Sequence, residues 1–341
     1  MLTTLSTKRI AKGFAVAAVL LTGTTAHAQQ KSWDDVVKAA KQEGNVVLYS
    51  SLVPAALERL IDSFQKKYPE IKVQNVRTND AVLVARVQQE QSTKAAGGDV
   101  ASSNGYDFYE DQIKVNNLVK PIGPSIEKYK GDGMPWGLAP VITAYPMGFG
   151  YNTDLVKDAP TKFEDFLKPE YKNAVGIIDV TAASSVAFYY DSLRKQIPGW
   201  LEKFATQNPI LHASSIPTTQ AIASGEIKGS PFVPPGVVKA LQDQGAKLKF
   251  VIPDMPEVYG VRYPMAILAN AKNPNAAQVF VDFVASPDGQ YAMNGDGMGM
   301  SELDGIKGAL AKTKIFIYNN KEFSPEQIKA TVTYWNGIFK K

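Results

Sequence analysis

No cysteine occurs in the 341 residues, and histidine occurs twice. The first absence removes disulfides, thiolate zinc sites, cysteine nucleophiles and a lipid-anchored cysteine. The scarcity of histidine leaves His212 as the one imidazole outside the leader described below. A Ser–His–Asp triad would have to use it, and no G-x-S-x-G elbow accompanies it. A P-loop lysine is also missing. Gly295-Asp-Gly-Met-Gly299 follows an expected helix rather than a strand, so the dinucleotide-binding context is lacking. No His, Asp or Glu cluster has metal-ligand spacing. No apolar run reaches the roughly 20 residues a membrane-spanning helix needs. The net charge of +4 is small and interspersed, with no footprint for nucleic acid or a membrane surface.

What is present begins with an export pattern. Lys8, Arg9 and Lys12 precede the apolar run Gly13–Leu21, and Ala26-His27-Ala28 follows as a small-x-small site. These read as a cleaved Sec-type signal peptide over 1–28, without the twin arginines of the folded-protein route. The three leader cations take most of the net charge, so the mature chain is near neutral. Directly behind them, Ser32 and Asp35 suit a capping box, and Trp33, Val36, Val37 and Ala40 recur at helical spacing. Gly44 stops that helix, and Asn45–Tyr49 is a β-branched strand ending in Ser50 and Ser51.

Strand–helix alternation continues along the chain, which implies α/β layers with largely parallel sheets. Helices are expected over 54–67, 81–94, 106–115, 162–167, 184–195, 200–206, 218–224, 236–244, 275–284 and 288–294. Strands are expected over 71–76, 144–152, 174–180, 227–233, 247–252 and 265–270. The chain leaves a first domain at 144–152 and returns at 265–270. This gives a first lobe of 29–146 plus 264–341 and a second of 147–263. The tail from Glu302 is expected to dock on the first lobe.

The segment Ser32–Ser51 resembles the first helix and strand of periplasmic solute-binding proteins that feed ABC importers. Pro160–Gly176 is similar to that family's acidic, Pro-x-Tyr-Lys passage. Ala271-Lys-Asn-Pro-Asn-Ala-Ala277 and Phe283-Val-Ala-Ser-Pro-Asp-Gly-Gln290 resemble its C-terminal passage. The resemblance spans the whole mature chain. It is to the extracellular solute-binding family 1, in the branch of ferric-ion, polyamine, thiamine and phosphonate or sugar-phosphate binders. It implies the type 2 periplasmic binding protein fold: two α/β lobes joined by two crossover strands at a hinge. It also implies a small-molecule ligand, an inner-membrane ABC permease as partner, a monomer, no cofactor and no catalysis.

Ligand contacts in open α/β sheets come from loops beyond the carboxyl ends of strands. Those loops offer Ser50, Ser51, Ser102 and Ser103 from the first lobe, and Thr181, Ser184 and Ser185 from the second. Serines at helix starts donate to anions together with the orphan N–H groups there; taken singly, plain helix capping is the commoner role, and it is the convergence of several such loops that favours a ligand. Arg262, in Glu257–Tyr263 with Tyr259, reads as an anion clamp or else as a surface arginine or an internal partner for Glu257. Phe232 is a candidate wall residue, with Trp136 and Tyr145. Ferric-ion relatives place adjacent tyrosines after an Ala-x-Gly-Glu turn. Here Ala223-Ser-Gly-Glu226 is followed by Pro231-Phe232-Val233-Pro234, and Tyr189-Tyr190 falls inside a helix, where packing is the expected role. The expected ligand is therefore a small organic anion, carboxylate or phosphonate-like. A ferric ion is the alternative, and a secreted hydrolase using His212 a more remote one. Intact mass of protein recovered from a Gram-negative periplasm should place the N-terminus at Gln29; a retained leader would make residues 1–28 an anchor.

Overall fold

The computed structural model describes residues 32–52, 54–78, 80–318 and 323–340; the leader over 1–28 lies outside them. The first lobe opens with α1 (Trp33–Glu43), β1 (Asn45–Ser50), α2 (Pro54–Lys67), β2 (Lys72–Arg77) and α3 (Asp80–Thr93). Then come β3 (Val100–Ser102), α4 (Tyr106–Lys114), β4 (Leu118–Val119) and β5 (Val141–Pro146). Gly44 ends α1 at φ 67°, a left-handed backbone that costs glycine little. β2, β1 and β3 lie side by side and parallel, so their carboxyl ends share one edge.

Alternation along β1 feeds two cores. Val46 and Leu48 join Leu57, Leu60, Phe64 and Phe280 on one face, while Tyr49 meets Leu83, Phe108 and Tyr109 on the other. Buried carboxylates hold the loops around these cores. Asp99 accepts from the Val47 and Asn273 amides at 2.8 and 2.9 Å, and Asp282 from those of Ser125 and Ile126.

The second lobe follows: β6 (Gly148–Asn152), β7 (Gly176–Ile178), α5 (Ser184–Gln196), α6 (Trp200–Ala205), β8 (Ile210–His212), α7 (Ser215–Ser224), β9 (Gly229–Val233), α8 (Pro235–Asp243) and β10 (Leu248–Val251). β6 is central between β10 and β9, and β7 pairs with β8. Phe149, Phe163, Phe166 and Trp200 meet edge to face in its core, and Phe204 stacks on Trp200. A Cβ on Gly148 would stand 2.3 Å from the Val251 carbonyl, which is why the first residue of β6 has no side chain.

The chain returns in β11 (Val258–Leu268), then α9 (Pro274–Val284), α10 (Pro287–Asn294), β12 (Ile315–Phe316) and α11 (Pro325–Phe339). β11 is parallel to β12 and antiparallel to β5, β3 and β4. Its register shifts between Tyr263 and Pro264, where proline supplies no N–H to the ladder.

Three expectations change. The strand expected over 144–152 is two strands broken at Met147, each in a different sheet. The return strand begins at Val258 rather than 265, which puts Tyr259 and Arg262 inside it. The C-terminal helix packs on the second lobe, not the first. Ile328, Val332, Trp335 and Phe339 form a helical stripe that covers α5. Trp335 is fully buried, with its ring 5.9 Å from that of Tyr190, and the Tyr334 hydroxyl donates to Glu202 at 2.6 Å. Trp335→Ala should cost about 3–5 kcal/mol in chemical denaturation. A loss below about 1 kcal/mol would mean that α11 is not a fixed part of the lobe.

Candidate functional site

Two cavities lie between elements of the two lobes. The first, of about 360 Å³, is lined by Asn104, Gly105 and Tyr106 from the first lobe and Ala183, Ser184 and Ser185 from the second, with Tyr259 to Arg262 of β11 along its wall. The second, of about 470 Å³, is mostly apolar. Arg77, Tyr145, Met147, Ile216, Pro234, Pro235 and Tyr263 line it. A hydrogen bond joins a lining residue of each: Asn104 Nδ2 donates to the Tyr263 hydroxyl at 3.2 Å.

On the second-lobe side, α5 starts without a cap. Its cap position is Ala183, which has no side-chain acceptor. Ser184 and Ser185 therefore stand in the first turn rather than at the cap, and simple capping is not their role. The first-turn N–H groups lack intrahelical partners and carry the positive end of the helix dipole. Ser185 interacts with the buried Tyr259 hydroxyl. Opposite Ala144 in the ladder, Arg262 extends into the same cavity. Glu257 does not pair with it, since Lys314 takes that carboxylate. Among the described residues Arg262 is in no ion pair, and its Nε is buried without a hydrogen bond. Burial pushes the neighbouring Tyr106 hydroxyl up to about 12, with Arg262 pulling the other way. Burial likewise holds Glu302 above the usual carboxyl range, opposed by Arg262.

The first-lobe serines serve other ends. Ser50 is fully buried and accepts from the Leu52 amide at 3.0 Å. Ser102, equally buried, donates to the Pro264 carbonyl at 2.9 Å and fastens β3 to the irregular point of β11. Ser51 and Ser103 both donate to Asp80 Oδ1, and the Asn104 amide joins them at 3.2 Å. The expected anion cradle is thus filled by a carboxylate of the chain itself. Asp80 leads α3, one residue ahead of the helix start expected at Ala81. In sequence it looks like an ordinary acidic first turn; the signal that could have found it is that β2 ends on the same edge as β1 and β3.

Of the remaining candidates, Thr181 is exposed and donates to Asp179 at 2.7 Å, outside the lining of either cavity. Phe232 packs 4.5 Å from Tyr189 and stacks with Tyr259, one layer behind the first cavity. Trp136 flanks Tyr106 at 5.3 Å, and Tyr145 lines the second cavity. Tyr189 and Tyr190 are buried packing residues that donate to the Pro231 and Ile178 carbonyls. Among the described residues, no three His, Asp or Glu side chains gather in a way that would hold a metal. Among the described residues His212 Nε2 has no hydrogen-bond partner, and burial lowers its affinity for a proton.

Two α/β lobes bridged by paired strands, with an arginine and an uncapped helix start over a cavity between them, make the architecture of a solute-binding protein. The family described as bacterial extracellular solute-binding protein matches residues 45–299, and the chain belongs to it. A Haemophilus influenzae protein described as uncharacterised is 25% identical over 328 residues, 87% of this chain and 91% of its own. Two solved structures show the same fold. The periplasmic binding protein AfuA from Actinobacillus pleuropneumoniae, with exogenous fructose-6-phosphate bound, has a TM-score of 0.58 at 19% identity, covering 87% of this chain and 99% of its own. Iron-bound HitA from Pseudomonas aeruginosa has a TM-score of 0.62 at 16% identity, covering 86% and 99%. One fold therefore carries both a sugar phosphate and a metal, and the ligand of this chain has to be argued from its own residues.

Burial raises Tyr259 and Tyr263 to about 12, with the Asp80 charge adding to the effect at Tyr263. An ordinary tyrosine ionises near 10.0, so above that pH the unfolded chain loses protons that the folded chain keeps. Their contribution to stability is whole below pH 10 and falls as pH rises through about 12. Tyr263→Phe should make the alkaline limb of the stability curve shallower; an unchanged slope would show that Tyr263 ionises normally.

Proposed function

We propose that this protein is the periplasmic substrate-binding component of an ABC importer and captures a small organic anion between its lobes by hinge closure. The leader over 1–28 sends it through the Sec route to the periplasm, where the closed, liganded form meets an inner-membrane permease. Closure follows from differential affinity: a ligand that touches both lobes stabilises the closed arrangement by what it gains there.

The observation that carries the anion reading is Arg262. Among the described residues Arg262 is in no ion pair and its Nε is buried without a hydrogen bond, although the Glu302 carboxyl feels its charge; a ligand oxyanion would complete the group. The uncapped start of α5 faces the same cavity and adds N–H donors of the same sign. The anion is accordingly placed on the side of Arg262, Ser184 and Ser185, and not on Ser51 and Ser103. Proline and packed phenylalanine at 231–234 offer no phenolate for a ferric ion, which wants anionic oxygen ligands.

The test is a panel of carboxylates, phosphonates and phosphate esters, read by thermal shift and calorimetry. A ligand at 100 times its Kd should add about 2.7 kcal/mol of stability, and small-angle scattering should show a smaller radius of gyration. Loss of a charged hydrogen bond is worth about 1.5–3 kcal/mol, so Arg262→Gln should weaken binding roughly 10- to 100-fold, while Arg77→Gln leaves it near wild type. Full affinity in Arg262→Gln, or loss confined to Arg77→Gln, would overturn this placement. A protein that colours on ferric loading and ignores the panel would replace the reading with iron.

A further inference from the structure

The second cavity is larger than the first, about 470 against 360 Å³, and its walls differ in kind. Arg77 is the one charged residue lining it, and Arg77 Nε is already spent on the Leu52 carbonyl at 2.8 Å. Most of the remaining wall is hydrocarbon. Val237, Ala240, Leu241 and Gln244 of α8 line it, at the spacing of one helix face. The core-facing side of the same helix is Val238, fully buried in a cluster with Ile222, Ile227 and Val233, and Leu241 borders both sides. A surface helix needs one apolar face to be held in place; α8 has a second, turned to the cavity.

That second face is not covered. Ala240 is exposed, and Ile216, from the first turn of α7 on the same cavity wall, is 54% exposed. One exposed isoleucine means little, but an apolar surface gathered around a cavity marks a place for a ligand. Tyr145, Met147 and Val261 extend the same wall. Val261 lines both cavities and is the neighbour of Arg262 in β11. The apolar surface therefore begins next to the anion position, on the same stiff strand. A bare oxyanion on Arg262 leaves all of it in water.

We infer that the ligand is amphipathic: its oxyanion lies on Arg262 and the start of α5, and an apolar body of several carbons passes Val261 into the second cavity, against Ile216 and the open face of α8. This rests on the anion-binding reading above and adds Ile216 and Ala240 as residues that set specificity. Hydrocarbon that leaves water contributes in proportion to its area, so affinity rises with the length of the body for as long as the cavity holds it. The body meets second-lobe helices on one side and Pro54 of the first lobe on the other. The same contact thus favours the closed arrangement proposed above.

The experiment uses two series of probes on the mature protein: acetate, butyrate and hexanoate, and methyl-, propyl- and pentylphosphonate. Calorimetry on the wild type should show binding about fourfold tighter for each methylene fully removed from water, and at least about tenfold tighter across a series. Ile216→Gln and Ala240→Gln put polar groups at exposed positions of the wall, and an unchanged melting curve checks the fold. Both should flatten the dependence on chain length, chiefly by weakening the longest member. Arg262→Gln should weaken every member by a similar factor. If affinity does not grow with chain length and still depends on Arg262, the amphipathic inference falls and the anion reading stands; the open face of α8 is then left to the first lobe. If affinity grows with length but ignores Ile216→Gln and Ala240→Gln, the apolar body lies elsewhere and the inference falls as well. If no member binds, or binding ignores Arg262→Gln, the anion reading falls and takes this inference with it.

Discussion

β11 is the constraint on which the rest of the molecule depends. Its eleven residues pair with β12 and β5 in the first half and with β3 and β4 in the second. Backbone pairing on this scale fixes the strand in register, and register fixes side-chain direction. Tyr259, Arg262 and Tyr263 therefore reach the cavities from one stiff element rather than from loops. The irregularity at Pro264 is secured from three directions. The proline carbonyl accepts from Ser102 and Tyr109, and the Met265 amide donates to the Pro140 carbonyl. A bend in a strand that carries the site is useful only if it is always the same bend.

The charge arrangement in the cleft follows from how the fold treats its carboxylates. Burying a carboxylate is costly unless donors surround it. Asp99 and Asp282 meet that condition with backbone amides, as the half-buried Glu43 does, and each ties a loop or helix start to its neighbour. Asp80 meets it with two hydroxyls and one amide from the loops after β1 and β3. The same contact that aligns three strand ends also puts a negative group where serines alone would have made a donor surface. Serine in such a loop is thus no indication of ligand charge until its proton has been traced.

Much of the fold was legible in the sequence. The helix expected over 54–67 has those bounds, and those at 106, 184 and 288 begin within a residue of expectation, because stripes of Leu, Phe and Val at helical spacing leave little choice. The early half of β11 was not legible, since Gly260 and Arg262 interrupt its apolar run and the pairing that makes it a strand comes from β5, far away in sequence. The docking of α11 was missed for a related reason: an apolar stripe shows that a helix is covered but not by which lobe. In the site, Tyr259, Arg262, Ser184 and Ser185 were named from sequence and line one cavity. Asp80 was not, because one aspartate at a helix start is the commonest of signals and its meaning lies in three donors from elsewhere.

The helix starts separate structure from function more sharply than residue type does. Away from the cleft they are satisfied by side chains: Ser286 caps α10, Ser324 caps α11 and Glu43 covers the start of α9. At the cavities the pattern reverses. α4, α5, α7 and α8 begin at Gly105, Ala183, Ser214 and Pro234, none with a side-chain cap bond, and each lends residues from its start to a cavity wall. α6, a helix of six residues, is also uncapped. A missing cap costs about 1 kcal/mol, and four missing caps in one region are a standing cost to the free protein. A ligand that supplies acceptors offsets that cost only when the lobes bring the helix starts to it. In the closure proposed above, stability withheld from the empty protein would become affinity for the closed one.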